Sequence, residues 1–557
     1  MYREILKKIK VFSLPFLFSI AGCGGSESQF GGATATSKGG KVGSKTEVKS
    51  ELSDDLTQVA ISPDEVPNYK SVIAFLDAAN VPVPNNVRSE VMNLKVPDGL
   101  MLAGPFVGSN GVSSFNLSAR TTNTLASLVG IVPSSVVNGL LGTPLGGLLC
   151  LPNGILLVTN PSGTSIDINN RANCLRVSGS FVKSFGNGRS CLTCHSPLDS
   201  WTLNTKNINE RFNSSRGNDP LFRTVDGANC PKADVSTIAA KRQSYSLLLS
   251  KGLIRIEQKL PSNAEFKLAS ATGTYCNEID SRDPLLSLYR RPLPTTNLEL
   301  ITSVMWDGRE SKTGDLRQDL LAQARSAVAT HAEAKEVPSD RVMNDAVDLE
   351  ISITSAQITS NKGFNLSTTR ESAAQILARQ KLTPNENISR FNTNVFTLFN
   401  AFASSSNANQ RALYRGQQIF NTKTFNVPEL GANTTCSSCH NAPNAGSNTA
   451  IPRRFFDNGV ATEEFRTSDL PLYTFVSLDG RKTVKVSDPG RAMVTGKWED
   501  IGKFKVPVLR GIAARYPYFH NGSARTVGDV VNFYDDRFDI GLSLEEKLDL
   551  TAFLEQL

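Results

Sequence analysis

The C-terminal end of the chain carries a clear helical pattern of apolar residues. Apolar side chains after Ser543 recur mostly at spacings of three and four residues, which is typical of a helix with one buried face. Glu546 follows Ser543 by three residues, and this pair predicts a capping box at the start of the helix. The predicted buried stripe consists of Leu544, Leu548, Leu550, Phe553, Leu554 and Leu557.

A second helix is predicted over residues 407–420. Leu413, Gln417 and Phe420 fall along one face of it, and Gly416 lies within it. Glycine costs about 1 kcal/mol of helix propensity relative to alanine. We therefore expect a close packing contact at Gly416.

Weaker patterns predict three further elements. Helices are expected over residues 311–336 and 341–356. An apolar run over residues 155–158, between Gly154 and Pro161, predicts a short buried strand.

Residues 1–22 have the pattern of a secretory signal. Four basic residues precede an apolar run over residues 11–20, which is too short to span a bilayer as a helix. The run ends in Ile20-Ala21-Gly22-Cys23, which resembles a bacterial lipobox, so we expect a lipid on Cys23; an ordinary signal is the alternative. Residues 23–60, rich in Gly, Ser, Thr and Lys, predict a flexible tether, and a segment without recognisable chemistry follows over residues 61–170.

The charge distribution argues against a nucleic-acid partner. The formal net charge is +7, and the signal contributes three of these positive charges. No block of Lys and Arg stands out in the remaining chain, which is only mildly basic. A weakly positive face still suits an acidic electron-transfer partner.

A duplicated pentapeptide carries the most specific chemistry. Cys191-Leu-Thr-Cys194-His195 recurs as Cys436-Ser-Ser-Cys439-His440, and C-x-x-C-H is the attachment signature of c-type haem. Two thiols bind the porphyrin covalently, and the histidine becomes an axial iron ligand. Zinc sites need four N or S ligands each, and a redox dithiol needs no histidine, so two covalent haem c groups are the preferred interpretation.

The remaining cysteines suggest disulfides. Of nine cysteines, the lipobox and the haem motifs leave Cys150, Cys174, Cys230 and Cys276. An even remainder in an exported protein predicts two disulfides. Cys150–Cys174 with Cys230–Cys276 is the most local pairing, and the other two pairings remain open.

The order of motifs supports a family resemblance. Between and after the haem motifs lie Met305-Trp306-Asp307-Gly308-Arg309, Phe504-Lys-Val-Pro507-Val-Leu-Arg510 and Tyr516-Pro-Tyr-Phe-His520-Asn-Gly522. Over residues 171–557 this order closely resembles the bacterial dihaem cytochrome c peroxidase superfamily, which includes MauG and, more distantly, the dihaem rubber oxygenases. The resemblance implies a mainly α fold with two cytochrome c-like haem domains after a less regular N-terminal segment. The first, peroxidatic domain is expected over residues 171–385 and the second, electron-transfer domain over residues 386–557.

The resemblance also implies roles around the first haem. Trp306 matches the tryptophan that helps electrons cross between the haems. Gln323 and Glu333 keep the spacing of the family's distal pair, and Glu333 is the expected general acid–base; a solvated surface charge is the alternative. Ala327 and His331 stand where the family pattern has prolines, and these departures favour the oxygenase-like branch. His331 is open as a second acid–base, a distal ligand or a surface residue.

Axial ligands are the last expectation from the resemblance. His195 and His440 are the proximal ligands. Many resting peroxidases block the first haem with a histidine downstream of the motif, where this chain has Glu210-Arg211-Phe212, so the first haem is expected to be open, as in MauG. At the second haem the candidates are Tyr534, as in MauG, His520, as in the rubber oxygenases, and Met493.

The leading functional interpretation is reduction of hydrogen peroxide at the His195 haem with electrons delivered through the His440 haem. The alternatives are a MauG-like or rubber-oxygenase-like oxidase using dioxygen, and a non-enzymatic, membrane-anchored electron carrier. The resemblance implies a small c-type cytochrome or cupredoxin as donor and calcium between the haem domains. The expected location is the bacterial cell envelope, facing the periplasm or on the outer membrane.

Overall fold

The computed structural model describes residues 150–152, 155–169, 174–176, 181, 183–276, 283–336, 338–367, 373–380, 396–447 and 455–557. The chain divides into two compact units, Met1–Leu102 and Ala103–Leu557, and every described residue belongs to the second. The predicted signal, lipobox and tether lie outside the described residues, as do most of segment 61–170 and the side chains of Cys150 and Cys174.

The described helices begin, in most cases, at a side chain that caps the first turn. Asn204, Asp315, Thr526 and Ser543 each accept a hydrogen bond from a backbone N–H of the helix that follows. The helices are α1 Thr205–Ser215, α2 Ile238–Ser244, α3 Ser246–Lys251, α4 Leu316–Thr330, α5 Asp340–Ser352, α6 Ala373–Leu377, α7 Ala408–Thr422, α8 Cys436–Cys439, α9 Ala492–Thr495, α10 Val527–Phe538 and α11 Leu544–Leu554.

Short antiparallel strands lie between these helices. They are β1 Cys150–Pro152, β2 Ile155–Asn160, β3 Gly163–Asn169, β4 Cys174–Arg176, β5 Ile254–Lys259, β6 Phe266–Thr272, β7 Leu285–Arg290, β8 Ile353–Ser360, β9 Phe425–Val427, β10 Gly431–Thr434, β11 Phe455–Phe456, β12 Leu472–Ser477, β13 Thr483–Val486 and β14 Phe504–Lys505. Two sheets have three strands, in the orders β2-β3-β8 and β13-β12-β6, and the others are pairs. The prediction of a mainly α fold is therefore wrong, because the described chain mixes helices and sheets.

The β2-β3-β8 sheet shows why the sequence pattern underestimated strands. The predicted strand over residues 155–158 is confirmed within β2. The predicted helix over residues 341–356, in contrast, ends at Ser352, and the chain continues as β8, where Ala356 pairs with Ile166 of β3. β-Branched residues of β8 pack well on a pleated surface, and their partner strand lies almost two hundred residues away, where no local pattern reveals it.

The crossing of α7 and α11 confirms the close contact predicted at Gly416. A Cβ atom on Gly416 would lie 2.0 Å from the carbonyl oxygen of Asp549 and 2.7 Å from the Cβ atom of Phe553. The Arg415 guanidinium also forms an ion pair with the Asp549 carboxylate at 2.5 Å. Only glycine permits the two backbones to approach this closely.

The capping box of α11 is confirmed, but its apolar stripe is only partly right. Ser543 accepts from the N–H of Glu546, and the Glu546 carboxylate accepts from the N–H of Ser543. Leu550, Phe553, Leu554 and Leu557 are buried as predicted. Leu544 and Leu548 are 76% and 62% exposed, because the face of α11 that meets α7 is the one that carries Asp549 and Phe553.

One predicted disulfide is present. Cys230 and Cys276 are bonded, with their Cα atoms 5.3 Å apart. The four cysteines of the two haem motifs form no disulfide.

Gly416→Ala is expected to destabilise the protein by at least about 1–3 kcal/mol, the usual cost of overpacking. The added methyl group has the backbone of Asp549 and the Cβ atom of Phe553 as its neighbours, and these cannot move aside independently of α11. Urea denaturation of the haem-loaded protein measures the change. The matched control is Gly528→Ala in α10, where the nearest atom to a new Cβ lies 3.6 Å away; equal losses in both variants would contradict the close-contact explanation.

Candidate functional site

Both haem motifs are built on the same capped turn. Cys191–Thr193 form a 3₁₀ helix that starts after Ser190, and Cys436–Cys439 form α8, which starts after Thr435. In each motif the hydroxyl residue three positions later, Thr193 or Ser438, accepts a hydrogen bond from the backbone N–H of the cap residue. This turn places the two cysteines and the following histidine on one short, fixed segment.

The two motif histidines are held in the same way. Nδ1 of His195 lies 3.1 Å from the carbonyl oxygen of Trp201, and Nδ1 of His440 lies 2.6 Å from that of Ala445. A carbonyl only accepts, so each Nδ1 carries the proton and donates, which leaves Nε2 with a free lone pair. Burial lowers the pKa of both imidazoles to about 4. Both are therefore neutral at physiological pH, the form that binds a metal.

An apolar cavity of about 230 Å³ lies against the second motif. Its walls include both thiols, His440 and a large set of aliphatic and aromatic side chains from α7, α10, α11 and β14. A porphyrin needs this combination of an apolar slot, two thiols and a histidine with a free lone pair. The residues at this site therefore fit a covalently bound haem.

His520 adds a second observation in favour of that fit. Its ring is 4% exposed, and Nε2 is buried without a hydrogen-bond partner among the described residues. The ring stacks on Phe504, with centroids 3.9 Å apart, and Trp306 packs edge-on at 6.2 Å. Burial lowers its pKa to about 4. An unpartnered buried nitrogen is costly, and a metal ligand role would account for it.

Tyr534 lines the same cavity, so the structure brings both main candidates for the second axial position to one site. Its hydroxyl accepts a hydrogen bond from Nδ2 of Asn458 at 3.1 Å. Burial raises its pKa to about 12. Met493 is instead buried in a cluster with Phe266, Tyr473 and Phe475 and is not among the residues that line the cavity.

Trp306 sits at the wall of the cavity, tied to the backbone that holds His520. Its Nε1 donates to the carbonyl oxygen of Arg291 at 2.8 Å, and the backbone N–H of Arg291 donates to the carbonyl oxygen of His520 at 2.7 Å. Arg291 therefore links the Trp306 indole to the backbone of His520. Sequence reasoning had placed Trp306 between the haems but had not connected it to His520.

Asp307, the acidic residue of the Trp306 motif, has a structural role that the sequence did not reveal. Asp307 is fully buried and pairs with Arg290 at 2.6 Å, and Arg290 also pairs with Asp488 at 2.6 Å. Burial alone would raise the pKa of Asp307, but Arg290 and Arg309 hold it well below its usual range. This buried cluster anchors the turn that carries Trp306.

Glu333 and His331 lie beside the first motif, but not on the predicted helix. α4 ends at Thr330, so the predicted helix over residues 311–336 is too long at both ends. Glu333 has a φ of +50° and is exposed. Its carboxylate accepts from Nδ2 of Asn187 at 2.8 Å, four residues before Cys191. Gln323, half-buried on α4, precedes the end of the helix by about two turns, roughly 10 Å along the axis.

Two charged residues near the first motif were missed by sequence reasoning. Nδ1 of His331 lies 2.6 Å from Oδ2 of Asp226, whose other oxygen pairs with the Arg189 guanidinium at 2.5 Å. Arg189 also donates to the carbonyl oxygen of His331 at 2.9 Å. Arg189 stands two residues before Cys191, so the end of α4 is bound to the start of the first motif. Asp226 follows no recognisable motif, and only the fold brings it here.

Glu350 of α5 is a further buried acid near the first motif. It is 6% exposed, and Oε2 has no hydrogen-bond partner in the described part of the chain. Burial raises its pKa to about 8. Burial, and after it the nearby Glu350 carboxylate, also raises the pKa of the Cys191 thiol. The carboxyl group is therefore largely protonated at neutral pH.

Comparison with known proteins agrees with this site. No family model matches the chain. "Cytochrome-c peroxidase IdrP1" of Pseudomonas sp. (strain SCT) is 30% identical over 180 residues, 28% of this chain and 43% of that protein. The protein of the same name from Denitromonas iodatirespirans is 32% identical over 143 residues, 22% of this chain and 36% of that protein. Over these segments the chain is similar to proteins named cytochrome c peroxidases.

This similarity confirms the predicted resemblance to the cytochrome c peroxidases. The chain spans less than half the length of the curated peroxidases it matches. A solved MauG-like protein associated with microbial copper homeostasis matches 50% of this chain and 76% of its own, at 15% identity and a TM-score of 0.28; a likeness that weak carries no structural argument.

Two features are absent from the described residues, a cluster of metal-binding side chains and a membrane-spanning helix. Within those ranges, no three His, Cys, Asp or Glu side chains are arranged to hold a metal ion, so calcium stays a prediction. Of the helices that the structure describes, none has the length and apolar composition of a membrane span.

The stability of the protein is expected to fall as the pH rises from about 5 to 8, and Glu350→Gln is expected to reduce this dependence. The pKa of Glu350 in the folded protein, about 8, lies above its ordinary value of 4.5. The folded state therefore keeps a proton that the unfolded state releases, and this contribution to stability is lost as the pH rises through the folded pKa. Urea denaturation at four pH values measures the slope.

The control for this experiment is Glu464→Gln, which replaces an exposed carboxylate and should leave the slope unchanged. A Glu350→Gln protein with the wild-type slope would show that this carboxyl group is ionised in the folded state.

Proposed function

We propose that this protein is a dihaem c-type cytochrome that reduces hydrogen peroxide at a haem on His195, with electrons delivered through a haem on His440. The observation that carries the proposal is the matched state of the two motif histidines, both neutral and both donating Nδ1–H to a backbone carbonyl. When bound, haem supplies the iron at which peroxide is reduced and the couple that carries electrons.

The two sites are proposed to differ in the access that the chain leaves to them. In the segment that could supply a blocking histidine to the first haem, Arg211 pairs with Asp219 and donates to the carbonyl oxygen of Thr193, and Phe212 is buried. Arg211 is thus held by an ion pair and a hydrogen bond, and Phe212 is held by packing. This supports a first haem whose second axial position remains free for peroxide.

Proton delivery at the first haem is assigned to Glu333, by resemblance and by its contact with Asn187 beside the motif. Gln323 is proposed as its partner by resemblance alone. His331, oriented by Asp226, is the competing acid–base because its ring lies at the same end of α4. Reduction of peroxide to water consumes protons, and a group within reach of the bound oxygen atoms must supply them.

His520 is proposed as the second axial ligand of the His440 haem. Its buried Nε2 has no hydrogen-bond partner among the described residues, whereas the Tyr534 hydroxyl is hydrogen-bonded to Asn458. Trp306, in edge contact with the His520 ring, is then the proposed route for electrons toward the first haem.

The donor and the location complete the proposal. A small c-type cytochrome is the proposed donor, because the curated relatives are named cytochrome c peroxidases; a cupredoxin is the alternative that the family resemblance implies. The export signal, the lipobox cysteine and the paired Cys230 and Cys276 support a periplasm-facing or outer-membrane lipoprotein in a bacterial envelope.

A MauG-like or rubber-oxygenase-like oxidase is the second candidate. It is favoured by His331, which replaces a family proline. It is also favoured by the segment around Arg211, whose side chains are bound within the protein. A non-enzymatic electron carrier is the third candidate, and it requires both irons to have two protein ligands.

One experiment separates the three. The haem-loaded protein is characterised by ferric EPR and then mixed with hydrogen peroxide and reduced cytochrome c. Rapid oxidation of the cytochrome is expected, with one high-spin and one low-spin haem at rest. Peroxide reaction without cytochrome turnover would favour the MauG-like oxidase, and two low-spin haems without peroxide reaction would favour the carrier.

Glu333→Gln is expected to lower kcat for peroxide reduction by about 10²–10⁴-fold, the usual contribution of a general acid–base. Stopped-flow oxidation of reduced cytochrome c measures it. The matched control is Glu336→Gln, an exposed carboxylate three residues away. Full activity in Glu333→Gln, with loss in His331→Gln, would transfer the acid–base role to His331.

His520→Leu is expected to convert the low-spin EPR signal of the second haem to high spin, since it removes the proposed ligand. Tyr534→Phe, at the same cavity, should leave that signal in place. The reverse result would assign the ligand to Tyr534.

A further inference from the structure

We infer that Asp167, on strand β3, is a positioning residue for the iron ligand His195, acting through Trp201. The inference rests on the proposed haem at His195. Asp167 is 1% exposed, and its Oδ2 accepts a hydrogen bond from Nε1 of Trp201 at 2.8 Å. The carbonyl oxygen of Trp201 in turn accepts from Nδ1 of His195 at 3.1 Å. The two hydrogen bonds connect a strand of the N-terminal segment to the iron ligand.

The loop that presents the Trp201 carbonyl has an unfavourable backbone. Ser200 and Trp201 have φ values of +53° and +60°, a left-handed conformation that costs roughly 1–2 kcal/mol per non-glycine residue. The loop closes because the N–H of Trp201 donates to the carbonyl oxygen of Ser196 at 2.8 Å. Such a conformation persists only where the surroundings hold it, and the fully buried indole is the part of the loop that the surroundings can hold.

Asp167 fixes the position of that indole because it lies within a sheet. β3 is the central strand of the β2-β3-β8 sheet, and Asp167 pairs with Ser355 of β8. The Ser355 hydroxyl also lies 2.7 Å from that of Thr296. Phe181 packs edge-on against the indole, with centroids 6.1 Å apart. The indole is thus fixed by a hydrogen bond to a sheet and by an aromatic contact.

The second motif provides an internal comparison. His440 donates to the carbonyl oxygen of Ala445, which is also left-handed, with a φ of +58°. Both histidines therefore donate to the backbone carbonyl of a residue in the left-handed conformation. The methyl group of Ala445 cannot donate a hydrogen bond. Of the two residues, only Trp201 can therefore be held by a hydrogen bond from its side chain.

The hydrogen bond between Asp167 and Trp201 has a defined consequence for the iron. A firm hydrogen bond from Nδ1–H raises the basicity of the imidazole and thereby stabilises ferric iron. If the Trp201 carbonyl shifts, this hydrogen bond weakens and the reduction potential of the first haem rises. The second haem, whose acceptor is Ala445, should not respond.

The test is a spectropotentiometric titration of the haem-loaded full chain. Asp167→Ala is expected to shift the reduction equilibrium of the first haem about tenfold toward the ferrous state, which is 59 mV for one electron, and to leave the second haem unchanged. Asp167→Asn, which keeps an oxygen acceptor for the indole, should retain most of the wild-type potential. A buried acid whose pKa is raised to about 7 by desolvation loses little by this replacement.

A double-mutant cycle distinguishes positioning from general destabilisation. Trp201→Phe removes the indole N–H but keeps the carbonyl acceptor, so it should reproduce the shift of Asp167→Ala. The double variant should shift no further than either single variant. Additive shifts, equal shifts at both haems, or no shift in Asp167→Ala would overturn the inference. If Asp167→Ala fails to fold, the potential of Trp201→Phe decides.

The outcome is independent of peroxide turnover. A wild-type protein without haem on His195 would refute the proposed function. A loaded first haem whose potential ignores Asp167 and Trp201 would refute this inference alone.

Discussion

The hydrogen bond from each motif histidine to a backbone carbonyl is the constraint on which the described structure depends. An imidazole can bind iron through Nε2 only if Nδ1 carries the proton, and a carbonyl five or six residues later enforces this tautomer at both sites. Each carbonyl is presented by a left-handed residue, Trp201 or Ala445. The rest of the chain has to hold these two unfavourable turns in place.

The two turns are held by different means. Ala445 is packed into the core that forms around the crossing of α7 and α11, so the second site depends on helix packing of the kind that Gly416 makes possible. Trp201 is held by hydrogen bonds and aromatic contact, with Asp167 arriving from a sheet of the N-terminal segment. We regard this asymmetry as the structural counterpart of the proposed division between a reactive and an electron-transferring haem.

A cluster of buried charges supports the turn that carries Trp306. Arg290 pairs with Asp307 and Asp488, and all three side chains are almost completely buried. Removing charges from water costs several kcal/mol per ion unless each charge is matched, and here Arg290 pairs with both carboxylates while Arg309 also pairs with Asp307. The cluster fixes the turn of Trp306, whose edge meets His520. It thereby sets the position of the one aromatic side chain proposed to carry electrons between the haems.

The sequence by itself predicted the haem-attachment motifs and determined the local elements. The two C-x-x-C-H motifs, the capping box of α11 and the strand at residues 155–158 depend on neighbouring residues, and each was predictable. The close contact of Gly416 was also predictable, because a glycine within a helix indicates one, but its partner Asp549 lies far along the chain. The sheets were not, because β3 and β8 form a pair only after a long stretch of chain brings them together. Nor were Asp167, Asp226 and Arg290, since an acid or base in an unremarkable segment gains a role only from what surrounds it. Tertiary structure alone decided which charges are buried, and burial decides their pairing and their pKa.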